Sequence, residues 1–139
     1  MPLVAHTNLP TFQRLREEGE EIIDANRANH QEIREIHIGL LNMMPDAALE
    51  ATERQFFRLV GACNQIAQFH IHPFTIDGLT RSPQTQAHID TYYESFEKIK
   101  EDGLDGLIIS GANVTGPFLP DEDFWEPLTE VFSWAKENV

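Results

Sequence analysis

The sequence contains a single cysteine, Cys63, so no internal disulfide can form, and a reducing, cytoplasmic compartment is the expected home. Basic residues are also scarce. Ten lysines and arginines stand against 23 aspartates and glutamates, a formal net charge of −13. A surface this acidic repels phosphate backbones and anionic lipid heads, which argues against nucleic acid and membrane surfaces as partners. No apolar run has the length of a membrane-spanning helix. The opening Met1-Pro2-Leu3-Val4-Ala5-His6 lacks the basic-then-apolar order of a secretory signal. Repeats and low-complexity segments are absent. What remains is a hydrophobic fraction of 41% with nine phenylalanines, enough apolar material for one packed core.

The charge is uneven. Residues 1–89 carry a net of −4 and residues 90–139 a net of −9, and a solvated outer face on two helices accounts for the acidic half. Residues 1–35 are polar and weakly periodic, and read as an N-terminal arm preceding a domain over 36–139. Within the arm, Leu9-Pro10-Thr11 caps an expected helix from Phe12 to about Ile23, because proline suits a first helical turn. Residues 24–35 read as a loop or as an arm laid across the domain.

Ile36-His37-Ile38-Gly39-Leu40-Leu41-Asn42 is a nearly continuous apolar run, the pattern of a strand buried on both faces. After a turn at Met43-Met44-Pro45-Asp46, the helical spacing of Leu49, Phe56, Leu59 and Val60 predicts a helix over 47–61. A β-rich run predicts a second strand over 66–74. A polar loop over 75–86 precedes an expected helix over 87–101. Asp105-Gly106-Leu107-Ile108-Ile109-Ser110 is a third strand, and a helix opens at Pro120-Asp121-Glu122-Asp123. Alternating strands and helices indicate an α/β, doubly wound, mostly parallel sheet. Three strands are few for 139 residues, so the sheet reads as incomplete, cut short at Val139.

Ligands of open parallel sheets gather beyond the carboxyl ends of the strands. Two segments occupy that place: Asn42-Met43-Met44-Pro45-Asp46, and Ser110-Gly111-Ala112-Asn113-Val114-Thr115-Gly116. Glycines there allow close backbone approach and leave N–H groups to hold an anion or oxyanion, although an ordinary strand-to-helix turn uses glycine too. The Gly111–Gly116 pair lacks the Lys-Ser/Thr of a phosphate loop. Cys63 lies at the amino end of a strand, the wrong edge for a nucleophile, and reads as a small buried residue. His70 and His72 share a strand face without further ligand-type residues at metal spacing. Glu50 and Glu53 read as surface partners of Arg54 and Arg58, and the acids at 121–123 as first-turn residues favoured by the helix dipole. No metal site follows.

Several segments together resemble the homoserine O-acyltransferases of methionine biosynthesis, the homoserine O-succinyltransferase family. They are Gln31-Glu32-Ile33-Arg34, Leu41-Asn42-Met43-Met44-Pro45, Glu53-Arg54-Gln55-Phe56-Phe57-Arg58-Leu59, Asp105 to Ala112, and Phe124-Trp125 through Trp134-Ala135, in order along the chain. The resemblance implies a fold like the class I glutamine amidotransferases (flavodoxin-like in outline) and transfer of a succinyl or acetyl group from coenzyme A to the homoserine hydroxyl. It implies no permanently bound cofactor, acyl-CoA being a substrate, and small molecules as partners, with a homodimer left open. The family's cysteine, histidine and glutamate are expected beyond Val139, so no catalytic residue falls within these residues, which are expected to be inactive alone. The candidate substrate-binding positions are Asn42, Met44, Gly111, Ala112, Asn113 and Thr115. In the family, glycine at the position of Thr115 goes with succinyl and glutamate with acetyl. Threonine matches neither, but it adds no charge to exclude a succinyl carboxylate, so the resemblance leans to succinyl. Asp46-Ala47-Ala48 stands where the familiar form has lysines. The competing readings are a non-catalytic binding domain retaining half of the enzyme fold, a serine-acylating relative, and a flavodoxin-like nucleotide binder.

Overall fold

A computed structural model describes residues 3–29, 34–63 and 66–139. Five strands form one sheet: β1 (Leu3–Ala5), β2 (Ile22–Asp24), β3 (Glu35–Leu41), β4 (Gln68–Phe74) and β5 (Gly106–Ile109). Their order across the sheet is β2-β1-β4-β3-β5, and every pairing is parallel. The helices are α1 (Pro10–Glu17), α2 (Ala25–Asn29), α3 (Asp46–Ala62), α4 (Pro83–Tyr92), α5 (Phe96–Asp102) and α6 (Trp125–Asn138), with a short 3-10 turn at Leu119–Asp121.

Alternation along the strands assigns the two faces. Leu3, Leu40, Phe69 and Ile71 pack with Leu9, Phe12 and Leu15 around α1 and with Phe57 of α3. The neighbouring residues Leu41 and Phe74 join Ile99 of α5 and Leu128 and Val131 of α6 in a second cluster. Val4, Ile23 and Ala28 form a third. Both faces of a parallel sheet are thereby covered, as a doubly wound fold requires.

The chain leaves β3 toward β4 on one side and reaches β5 on the other. This reversal is a topological switch point, and it opens a crevice between the carboxyl ends of β3 and β5.

The amino-terminal segment departs from expectation. The helix beginning near Phe12 ends at Glu17, where the Glu18 and Gly19 amides close the last turn and the Glu20 amide returns to Leu15. Ile22 and Ile23, expected in that helix, instead pair with Leu3 and Val4. Residues 25–29, expected to be loop, are helical. The arm segment therefore adds two strands to the three expected. The Gln31-Glu32-Ile33 part of the resemblance lies outside the described residues.

The helix expected over 87–101 is two helices. Pro83 starts α4 early, with the Ser82 hydroxyl accepting the Thr85 amide. Glu94 then breaks the helical run by pairing with Phe74, its amide donating to Pro73. Ser95 caps α5 through the Lys98 amide. Cys63, expected to be buried, is exposed just past α3, because the helix stripe that faces the sheet has ended there.

Candidate functional site

Asn42 and Met43 continue β3 into the crevice and are almost wholly buried. The Asn42 amide donates to Phe74 at 2.9 Å, and the Ser110 amide donates to Leu41 at 3.0 Å. The Met43 amide donates to the Ser110 hydroxyl at 2.7 Å. The two strand-end loops are thus tied directly together, and a Cβ added to Gly111 would lie 3.8 Å from the Met44 sulfur.

The loop after β3 is held from the other side by Arg81. Its guanidinium donates to the Met44 carbonyl and, at 3.4 Å, to that of Asn42. It also pairs with Asp46 at 3.6 Å, with only 5% of its side chain exposed. The other Asp46 oxygen accepts the Ser82 amide at 2.7 Å, and chiefly this bond holds the Asp46 carboxyl below its usual range. Arg81 lies in the stretch expected to be an undistinguished polar loop.

The loop after β5 is organised by Glu122. One carboxylate oxygen accepts the Thr115 amide at 2.7 Å and the Gly116 amide at 2.9 Å. The other accepts the Thr115 hydroxyl at 3.2 Å. Hydrogen bonds from the Gly116 and Thr115 amides lower the Glu122 pKa. Two amides expected to be free for a ligand are therefore occupied by the protein's own carboxylate.

Between these loops lies a cavity of about 300 Å³ whose walls include Met43, Pro45, Arg81, Asn113, Thr115 and Glu122. Of the candidate positions, Asn113 and Thr115 line it, while Asn42 lies buried beneath and Met44 abuts Gly111. Ala112 instead packs against the α5–α6 core.

Glu53 is the clearest correction. Expected on the surface, it is fully buried. It accepts hydroxyl hydrogen bonds from Thr11 at 2.7 Å and Tyr93 at 2.5 Å, with His88 Nε2 at 2.9 Å. Burial first, and Glu53 second, push the Tyr93 pKa well up, so the phenol stays protonated and donates. The sequence carried a signal for this: Glu53 falls four residues from both Leu49 and Phe57 on the buried stripe of α3.

His70 and His72 are half-buried beside His6 and His37. His72 Nδ1 meets Glu94 at 2.6 Å, and its Nε2 meets His37 Nδ1 at 2.9 Å. Among the described residues, no group of three or more His, Cys, Asp or Glu is arranged to hold a metal ion. No helix among them is long and apolar enough to cross a membrane.

The fold and crevice define the class: a doubly wound α/β domain with a polar cavity at the switch point of its sheet. The family model for homoserine O-succinyltransferase matches residues 2–139. Over all 139 residues the chain is 81% identical to the homoserine O-succinyltransferase of Methylobacter tundripaludum, 71% to that of Methylococcus capsulatus and 67% to that of Allochromatium vinosum. The chain belongs to the homoserine O-succinyltransferase family. It spans 39% of the length of each of these relatives.

Proposed function

We propose that the chain is the amino-terminal part of a homoserine O-acyltransferase. The enzyme moves a succinyl group, or alternatively an acetyl group, from acyl-CoA to the homoserine hydroxyl in methionine biosynthesis, in the cytoplasm. The observation that carries this reading is the family match over residues 2–139, and the Met43–Ser110 link supports it by joining the two loops of the resemblance around one cavity. In this reading the cavity wall positions the acyl donor, and homoserine and acyl-CoA are its small-molecule partners.

Acyl transfer of this kind proceeds through an acylated nucleophile, which divides one difficult step into two easier ones. Cys63 does not supply that nucleophile. It is exposed and lies before the amino end of β4, whereas the cavity lies beyond the carboxyl ends. The nucleophile and its activating histidine and glutamate belong to the remainder of the enzyme, and these residues alone are inactive.

Arg81 is the sole cation on the wall among the described residues, against Glu122 and Asp123. Asp46 and the Met44 and Asn42 carbonyls already engage that charge, so Arg81 shapes the wall rather than neutralising an anionic donor. Thr115 carries no charge toward the donor, which favours succinyl. The test is donor preference in the full-length protein. Thr115→Glu should shift the kcat/KM ratio toward acetyl-CoA, and an unchanged ratio removes Thr115 from donor selection.

A further inference from the structure

Beneath the loop after β3 lies a buried chain of hydrogen bonds whose direction is set by Glu53. The carboxylate offers only acceptors, so the Tyr93 O–H must point toward it. The phenol oxygen is then left as an acceptor, and Asn42 Nδ2 donates to it at 3.0 Å. The same Nδ2 donates to the Leu49 carbonyl at 3.0 Å. Two acceptors on one side fix the Asn42 amide, which turns its Oδ1 to the Met44 amide at 3.3 Å. Reversing the amide would set its oxygen against the Leu49 carbonyl and its NH₂ against the Met44 N–H. Glu53 thus acts, through two side chains, on the backbone from Asn42 to Met44, which Ser110 and Arg81 hold from other directions.

We infer that Tyr93 and Glu53 are positioning residues for the acyl-transfer site, holding Asn42 in the one amide orientation that shapes the Met43–Pro45 wall of the cavity. The inference rests on the acyltransferase reading for its consequence in activity, but not for its geometry. Neither residue lines the 300 Å³ cavity, although Tyr93 borders the adjoining one of about 500 Å³, so their route to the Met43–Pro45 wall runs through Asn42.

Thr11 provides the control. Its hydroxyl also donates to Glu53, at 2.7 Å, yet it has no bond to Asn42 or to the loop. A merely structural role for the network predicts that removing either hydroxyl has the same effect. A positioning role predicts that only Tyr93 matters to the site.

The experiment compares Tyr93→Phe with Thr11→Val in the full-length protein, reading melting temperature, kcat/KM for acyl-CoA with homoserine, and hydrogen exchange at the Met44 amide. Both variants remove one donor from a buried carboxylate, so both melt a few degrees lower. Tyr93→Phe should lower kcat/KM about 10- to 100-fold, the scale of a misplaced site wall, and speed Met44 exchange about tenfold or more. Thr11→Val should keep kcat/KM within about twofold and leave Met44 exchange unchanged. Equal losses of activity, or wild-type activity and Met44 exchange in Tyr93→Phe, overturn the inference. A wild-type protein without turnover overturns the acyltransferase reading instead, and Met44 exchange then decides whether Tyr93 orders the loop.

Discussion

Gly78 offers a quantitative test of how the cavity is built. Its φ is +89°, and a Cβ there would lie 2.4 Å from the Asp123 carbonyl oxygen, 2.5 Å from its carbon and 2.6 Å from the Phe124 nitrogen. These are backbone atoms, so no side-chain rotation relieves the overlap. Gly19 is a matched control, with φ at +88° and nothing within 4 Å of an added Cβ. Gly19→Ala therefore incurs only the left-handed conformation, about 1 kcal/mol. Gly78→Ala incurs that cost together with overpacking of about 1–3 kcal/mol. An unfolding entropy near 2.1 cal/mol/K per residue gives about 0.3 kcal/mol per degree for a chain of 139 residues. The melting temperature should then fall by about 3 °C in Gly19→Ala and by about 7–13 °C in Gly78→Ala. Because Gly78 borders the 300 Å³ cavity and a second of about 500 Å³, the displaced 123–124 backbone should also reshape the site. Thermal unfolding followed by far-UV circular dichroism gives the comparison. Equal losses in the two variants would refute the claim that close packing of Gly78 on Asp123 and Phe124 holds this wall.

Three further outcomes follow from the same structure. Burial first, then the neighbouring His37, His6 and His72, lowers the His70 pKa from 6.5 to about 4 against the opposing charge of Glu35. Glu94 faces the same cluster through His72. Between those values the unfolded chain binds a proton that the folded chain refuses, so His70 removes stability as pH falls from 6.5 toward 4 and contributes no pH dependence above 6.5. His70→Gln should flatten the dependence of the urea midpoint on pH in that window, and an unchanged slope would contradict the assignment. Phe57 is fully buried, with its ring 5.5 Å from that of Phe12; Phe57→Ala should cost about 3–5 kcal/mol in urea unfolding, and a loss below about 1 kcal/mol would deny it a central place in the core. The exposed Cys63 thiol should react with a maleimide in the native protein as fast as in the urea-unfolded chain, whereas protection would mean that it is covered.

The parts of the fold legible in the sequence are those whose patterns are long. β3 and β5 stand out as apolar runs, and α3 as a helical stripe, because each buries a continuous face. β1 and β2 are three residues each, too short for alternation to register. Their pairing, Leu3 with Ile22 and Val4 with Ile23, is visible only in space. The break between α4 and α5 was masked by a stripe running through Tyr92, Tyr93 and Phe96. A tertiary contact, Glu94 on the β4 end, decides it, although Ser95 is a legible cap.

The same distinction applies at the site. Both loops could be read from their place after strands, and the structure brings them into contact. Glu53, Arg81 and Tyr93 could not be assigned roles, because each acts on groups far away in sequence: Tyr93 reaches back 40 residues to Glu53, and Arg81 reaches 37 to Met44. Glu122 was concealed differently. An acid near the start of a helix has a sufficient local explanation in the dipole, which hid its use on the Thr115 and Gly116 amides.

The proposed role of the Met43 and Ser110 loops is to form part of an acyl-CoA-dependent site for homoserine. Its most direct test follows thioester loss from succinyl-CoA and acetyl-CoA by the full-length protein, with and without homoserine. Homoserine-dependent release of coenzyme A is expected, faster from succinyl-CoA, with O-acylhomoserine as the product. Absence of homoserine-dependent release from either donor would contradict it.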